Sequence, residues 1–411
     1  MAIARIGLDS VHARMTVLDD DGTERPARDL LDAPASRTLS THAVTGTAEP
    51  ERGVALPYRG DVLRGEHLRE QLTRWVDAGV IEPTAADKVR TVMAHPEWLA
   101  LPGQTVAVLG AGAEMGALST LLSWGATVAA LDLPRPALWE RLVSDAQASA
   151  GTLLVPTDEA VPDGGPGAAG ADLLREVPAL AEWLDAVPGR LVLGNYLYAD
   201  GGTHVKVTVA ADLLAERLRR RRHDLGLSFL ATPTDAFAVP HAAVAHSRAR
   251  RRSLVSRAVA AGSARQLLQP AYTDIAGPQI CDALVPVQGP NYALAKRLQR
   301  WRAAVERADG HTVSFHVAPS TRTRSVTKNK ALAAAFAGAH HFGVEIFAPE
   351  TANTLMAVLL VHDLNVAAPE REHPWQDEAD GAVHGGLWRT AYEPRSALNV
   401  AALLGMPSTL R

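Results

Sequence analysis

A single cysteine, Cys281, stands in the 411 residues of the chain. That excludes an internal disulfide framework and any zinc site built from several thiolates, and it fits a reducing cytoplasm. Charge of one sign is not in excess either. Lys and Arg number 41 against 45 Asp and Glu, a net charge of -4, so nothing draws the whole chain toward nucleic acid or an anionic membrane. Long apolar runs are also missing. Arg5, Asp9 and Arg14 interrupt the N-terminus before any stretch reaches signal-peptide length. The longest uncharged run, Met115 to Leu131, holds Gly116 and Gly125 and falls short of the ~20 apolar residues a spanning helix needs. The expectation is a cytoplasmic protein with no membrane span and no nucleic-acid partner. The pair His340-His341 has no third ligand at metal spacing, so no metal is assigned.

What is present is the balance of a folded globular chain, 47% hydrophobic and 21% charged. Residues 1 to about 55 read as short strands and turns, with a turn signal at Asp19-Asp20-Asp21-Gly22. Leu68, Leu72, Trp75 and Val76 then recur at helical spacing, and Gly79 follows as a C-cap. Residues 1–100 are expected to form a smaller N-terminal α+β region. From Thr105 onward apolar runs alternate with amphipathic segments, the texture of a parallel sheet covered by helices. Buried strands are expected at 105–110, 127–132, 152–158, 190–195, 227–232 and 311–319. The fold class is therefore α/β, a doubly wound parallel sheet of the Rossmann type spanning 101–411, with an insertion at about 236–290.

The first of these strands runs into "GAGAEMG", which places Gly110, Gly112, Glu114, Met115 and Gly116 between a strand and a helix. Glycines there let the backbone turn tightly and let a pyrophosphate approach the amides at the helix start. Asp132 ends the second strand 22 residues after Gly110, where an acid bonds the adenosine ribose hydroxyls. Its carboxylate favours NAD over NADP, although Arg135 close by leaves NADP open. Strand, loop, helix, strand and acid in this order point to dinucleotide binding. A loop of this kind can also hold S-adenosylmethionine, a reading that leaves the next motif without a task.

That motif is "NYALAK". Tyr292 and Lys296 lie one turn apart on one helix face, so an ammonium can sit beneath whatever the phenol touches. Taken together, these residues resemble the short-chain dehydrogenase/reductase family. The family's Tyr-x-x-x-Lys helix is matched in full, and its Gly-x-x-x-Gly-x-Gly loop by Gly112 and Gly116, with Leu118 in place of the third glycine. "HTVSFHVAPSTRT" is similar to the family's strand and proline turn, and "APETANTLMAVLLVHDL" to the helix after its substrate loop. The family's Asn-Ala-Gly turn is replaced by Gly194-Asn195-Tyr196, and about sixty residues lie between the fifth strand and Tyr292.

The resemblance implies an NAD(P)-dependent oxidoreductase moving a hydride between a nicotinamide cofactor and the carbonyl or alcohol of a small-molecule substrate, as a possible homo-oligomer. Tyr292 would be the acid/base and Lys296 its electrostatic partner, lowering the phenol pKa and bonding the nicotinamide ribose. Thr234, or else Thr232, would hold the substrate oxygen. Asn195, Asp158 and Pro319 would meet the cofactor at the turn after the fourth strand, the adenine and the nicotinamide. Reduction of an activated double bond is the alternative chemistry, and a non-catalytic dinucleotide-binding sensor or scaffold the alternative class. Arg248 and Arg250 to Arg252, within the insertion, read as a solvated face or as a grip on an anionic substrate handle.

Overall fold

The computed structural model describes residues 1–18, 22–161, 166–251, 268–273 and 277–409. In chain order its strands are β1 (Thr16–Leu18), β2 (Glu24–Pro26), β3 (Leu39–Thr45), β4 (Leu56–Tyr58), β5 (Asp61–Leu63), β6 (Gln104–Leu109), β7 (Thr127–Leu131), β8 (Thr152–Asp158), β9 (Arg190–Asn195), β10 (Gly226–Ala231), β11 (Ala236–Val239), β12 (Gln279–Asp282) and β13 (Val313–Val317). Seven of them form one sheet in the order β13-β10-β9-β6-β7-β8-β3. The strands from β13 to β8 run parallel, and β3 pairs antiparallel with β8 along the edge from Leu39↔Asp158 to Thr45↔Thr152.

The apolar runs explain this arrangement. Val106 and Val108 face one core while Ala107 and Leu109 face the other, so β6 buries both sides and needs helices on each. On one face the helices Gly202–Arg219 and Gly289–Ala308 pack together, and Ala2–Arg14 lies against the latter. On the other, Pro349–Asn365 runs beside Pro83–Ala94. The connection reverses direction between β6 and β9, so the crevice outside their carboxyl ends is where a doubly wound sheet holds a ligand.

Residues 2–14 form a helix, where short strands and turns are expected. Ala4, Leu8, Val11 and Met15 recur at helical spacing and pack into the sheet's core, which outweighs the apparent alternation. An antiparallel ribbon, Thr16↔Pro26 to Leu18↔Glu24, flanks the expected turn signal, of which Asp19, Asp20 and Asp21 lie outside the described residues. The first hundred residues contribute to both cores, through Ala4 and Leu8 on one side and Leu68, Trp75 and Val89 on the other.

Buried ion clusters tie these layers together. Arg302 bonds Asp212 at 2.7 and 2.9 Å, Glu216 at 2.9 Å and Glu306 at 3.0 Å, and His12 of the N-terminal helix reaches Asp212 at 2.6 Å. On the opposite face Glu82 accepts two bonds from Arg389 at 2.9 and 2.8 Å and one from His384 at 3.0 Å. Gly386 donates its N–H to His384 Nδ1, so the neutral imidazole keeps its proton on Nε2, toward Glu82. Burial works to raise the Glu82 pKa, but the bonds from His384 and Arg389 win and hold it at about 2. A depressed carboxyl contributes stability that is fully present above its ordinary 4.5 and lost as pH falls through about 2. Glu82→Ala would leave Arg389 buried without its countercharge. In urea unfolding at neutral pH it should cost about 3–5 kcal/mol, and a loss below about 1 kcal/mol would show that the cluster contributes little to stability.

Candidate functional site

The glycine loop sits where the topology places it, at the carboxyl end of β6, and Gly110 takes a φ of +80° that only glycine adopts freely. It is closely covered. A Cβ at Gly110 would stand 3.3 Å from Leu197 Cα, and one at Gly112 would stand 2.5 Å from Leu138 Cδ1. Most of the loop's amides are used within the chain. Gly110 and Ala111 donate to the Leu131 carbonyl, Ala113 to Gly110, Gly112 to Asp132 Oδ2 at 2.8 Å, and Gly116 to Asn353 Oδ1 at 3.0 Å. Asn353 in turn donates to the Glu114 carbonyl, and the Glu114 carboxylate accepts the Arg324 N–H at 2.8 Å. Met115 is half-buried in the same loop.

A dinucleotide fits this loop in part. Asp132 stands at the end of β7, keeps partial exposure and spends one lone pair of each oxygen, on Gly112 and on Leu133. The remaining lone pairs can accept ribose hydroxyls. The pyrophosphate cradle is less complete, because the amides of residues 110–113 and 116 already have partners. The bend at Ala169–Ala171 also crosses the ends of β7 and β8, with Gly170 bonded to Pro156 and Ala171 to Asp132. Asp158 ends β8 beside it. Its carboxylate pKa is lowered by the Ala160 N–H and by Arg37, which holds it at 2.9 Å.

Tyr292 and Lys296 lie in the first turns of the Gly289–Ala308 helix, at the carboxyl ends of β9 and β10. The Lys296 ammonium donates to the Leu230 carbonyl at 3.2 Å and to Gln299 Oε1 at 3.1 Å. Gln299 passes the connection on, donating at 3.4 Å to Asn195 Oδ1, which also accepts from the Leu197 amide. Asn195 is therefore linked to Lys296 through one side chain. Burial pulls the Lys296 pKa down to about 8.

The phenol departs from expectation. Burial pushes Tyr292 up to about 12, and the Thr232 hydroxyl set against it offsets only part of that rise. The Lys296 ammonium is bonded to the Leu230 carbonyl and to Gln299. Of the two threonines, Thr232 is the one that meets the phenol. Thr234 stands behind, 2.7 Å from the Thr232 hydroxyl and donating to Gln288 at 2.9 Å. Pro319 is buried after β13, and the following Ser320 carbonyl accepts the Phe347 N–H.

Two groups at this site carry no signal in the sequence. Asn353 fastens the glycine loop from a helix more than two hundred residues away. His204, 1% exposed in the first turn of Gly202–Arg219, packs its ring 5.4 Å from Tyr292 and 5.4 Å from Tyr198. Neither His204 nitrogen has a partner of ordinary hydrogen-bond geometry, and burial, reinforced by Lys296, lowers its pKa to about 4. It is a neutral imidazole beside the phenol. An apolar pocket of about 70 Å³ begins at Thr234 and Ser320 and runs between Phe336, Phe342 and Leu398. It opens two hydroxyls away from Tyr292.

No protein-family description matches this chain, and neither does any curated protein. Solved structures do. It is similar to short-chain dehydrogenases/reductases. A gluconate 5-dehydrogenase from Burkholderia cenocepacia J2315, in complex with NADP and tartrate, is 14% identical over 70% of this chain and 96% of its own, with a TM-score of 0.39. A short-chain dehydrogenase/reductase of Serratia marcescens is 16% identical over 70% and 99%, with a TM-score of 0.38. An A1-type ketoreductase is 14% identical over 74% of this chain and 54% of its own, with a TM-score of 0.37. Among the described residues no group of His, Cys, Asp and Glu could hold a metal ion, and no helix is long and apolar enough to cross a membrane.

Proposed function

We propose that the chain is an oxidoreductase that uses a nicotinamide dinucleotide and acts on a carbonyl or alcohol. The observation that carries this reading is the position of Tyr292, Thr232 and Lys296 near the carboxyl ends of β9 and β10, next to the switch point with its glycine loop and Asp132. A dinucleotide bound at that loop supplies or accepts the hydride. The chain's own residues handle the proton and the geometry. Tyr292, protonated at neutral pH, donates to the carbonyl oxygen as charge develops there. Thr232, fixed by Thr234 and Gln288, orients the phenol. Lys296 offers its remaining N–H to a ribose hydroxyl, while Gln299 and Asn195 hold the ammonium in place. The apolar pocket beside Thr234 suits an aliphatic substrate body.

Asp132 supplies the test. Calorimetric titration should show NAD(H) binding more tightly than NADP(H), because a carboxylate at this place repels a 2'-phosphate. Asp132→Asn, which keeps an acceptor but removes the charge, should narrow the preference by about tenfold. Absence of binding by either dinucleotide would overturn the proposal.

One observation favours a second reading, a binding protein without turnover. The amides that would cradle a pyrophosphate are bonded within the chain, and Asn353 and the Arg324 N–H fasten Glu114 across the loop. On that reading a dinucleotide that binds is not consumed with any carbonyl compound.

A further inference from the structure

A cavity of about 710 Å³ lies away from Tyr292, on the far side of a wall formed by Phe336, Val344 and Ile346. Its volume falls within the range of pockets that hold a cofactor-sized molecule. The charged groups that face it are Arg59, Arg250, Arg322, Glu345 and Glu350. Two of these satisfy each other. Glu345 accepts from Tyr58 at 2.6 Å, from Trp75 at 3.1 Å and from Arg59 at 3.4 Å. That leaves Arg250 and Arg322 against Glu350.

Both arginines have donors to spare. Arg250 gives Nη2 to the Ala78 carbonyl at 2.7 Å, but its Nη1 is buried with no partner. It can reach the cavity only because Gly343 lines the wall at a φ of +74°, where an added Cβ would stand 2.1 Å from Nη1. The Arg322 backbone is anchored to Phe347, and the residue lines the cavity with no side-chain hydrogen bond or ion pair among the described residues. The Pro349–Asn365 helix also begins in this wall, at Ala348 to Thr351, and the positive end of its dipole faces the space. A buried donor without a partner is costly, and a guanidinium fork matches two oxygens of one anion.

We infer that this cavity binds a small molecule through an anionic group, a carboxylate or a phosphate, held between Arg250 and Arg322. Among the described arginines of the run in the insertion, Arg250 lines it. Arg248 turns to the Thr273 carbonyl, and Arg252 lies outside the described residues.

The test is calorimetric titration of the full chain with inorganic pyrophosphate and, separately, with succinate, each with and without saturating NADH. The expected result is saturable binding of at least one probe that weakens with added salt and persists with NADH present. Arg322→Ala, at an exposed side chain whose loss leaves the fold intact, and Arg250→Ala should each weaken it by about tenfold or more. Glu350→Gln should strengthen it. Which probe binds decides between phosphate and carboxylate. Binding of neither probe at millimolar concentration overturns the proposal. So does binding that both arginine variants leave unchanged, or that NADH abolishes, since either result assigns the anion elsewhere.

Discussion

Tyr292→Phe should abolish most turnover while leaving the protein folded and its dinucleotide affinity nearly intact. The change removes one oxygen from a half-buried ring held mainly by packing against His204 and Tyr198. The ring stays; the proton goes. Lost general acid catalysis is worth about 10² to 10⁴ in rate, so kcat for carbonyl reduction should fall by at least ~10². Because burial holds the phenol near 12, the wild-type reductive rate should show no loss of the phenolic proton through neutral pH. Oxidation of an alcohol needs the phenolate and should climb with pH over the same range. Thr232→Val should reduce kcat less than Tyr292→Phe and shift that climb to higher pH, since it removes the hydroxyl that offsets burial. An active substrate turned over by Tyr292→Phe at the wild-type rate would sink the assignment of Tyr292 as the proton donor.

The sheet was readable from the sequence because its chemistry is local. A strand buried on both faces is written as an unbroken apolar run, and the runs at 152–158 and 190–195 coincide with β8 and β9 at both ends. The glycine loop and the Tyr292/Lys296 helix were readable for the same reason, each being a short motif beside an element it identifies. What could not be read depends on distant partners. The carboxamide that fastens Gly116 comes from residue 353, and the arginine against Asp158 comes from residue 37. The sequence shows Lys296 one turn from Tyr292 but not that its ammonium is drawn to the Leu230 carbonyl. Spacing on a helix sets which residues share a face. Direction within that face is set by whichever acceptor the neighbouring strand offers.

Lys296→Met should make the protein more stable and less active at once. The ammonium is partly exposed, yet burial lowers its pKa from 10.5 to about 8. The charged form is thus disfavoured in the folded chain relative to the unfolded one. Between about 8 and 10.5 the unfolded chain binds more protons than the folded one, so wild-type stability gains with rising pH across that window relative to the variant. Below about 8 the whole penalty is present. At pH 7 Met, of similar length and apolar, should therefore raise stability by roughly 1–3 kcal/mol, the low end reflecting solvent screening and the Leu230 carbonyl left without its donor. At pH 10.5 and above the advantage should vanish. Cofactor affinity should fall, because the ribose loses its donor, and kcat should fall with it, whereas Tyr292→Phe lowers kcat alone. Equal urea midpoints for Lys296→Met and wild type at pH 7, together with unchanged dinucleotide binding, would show that the ammonium is solvated and that the site does not use it.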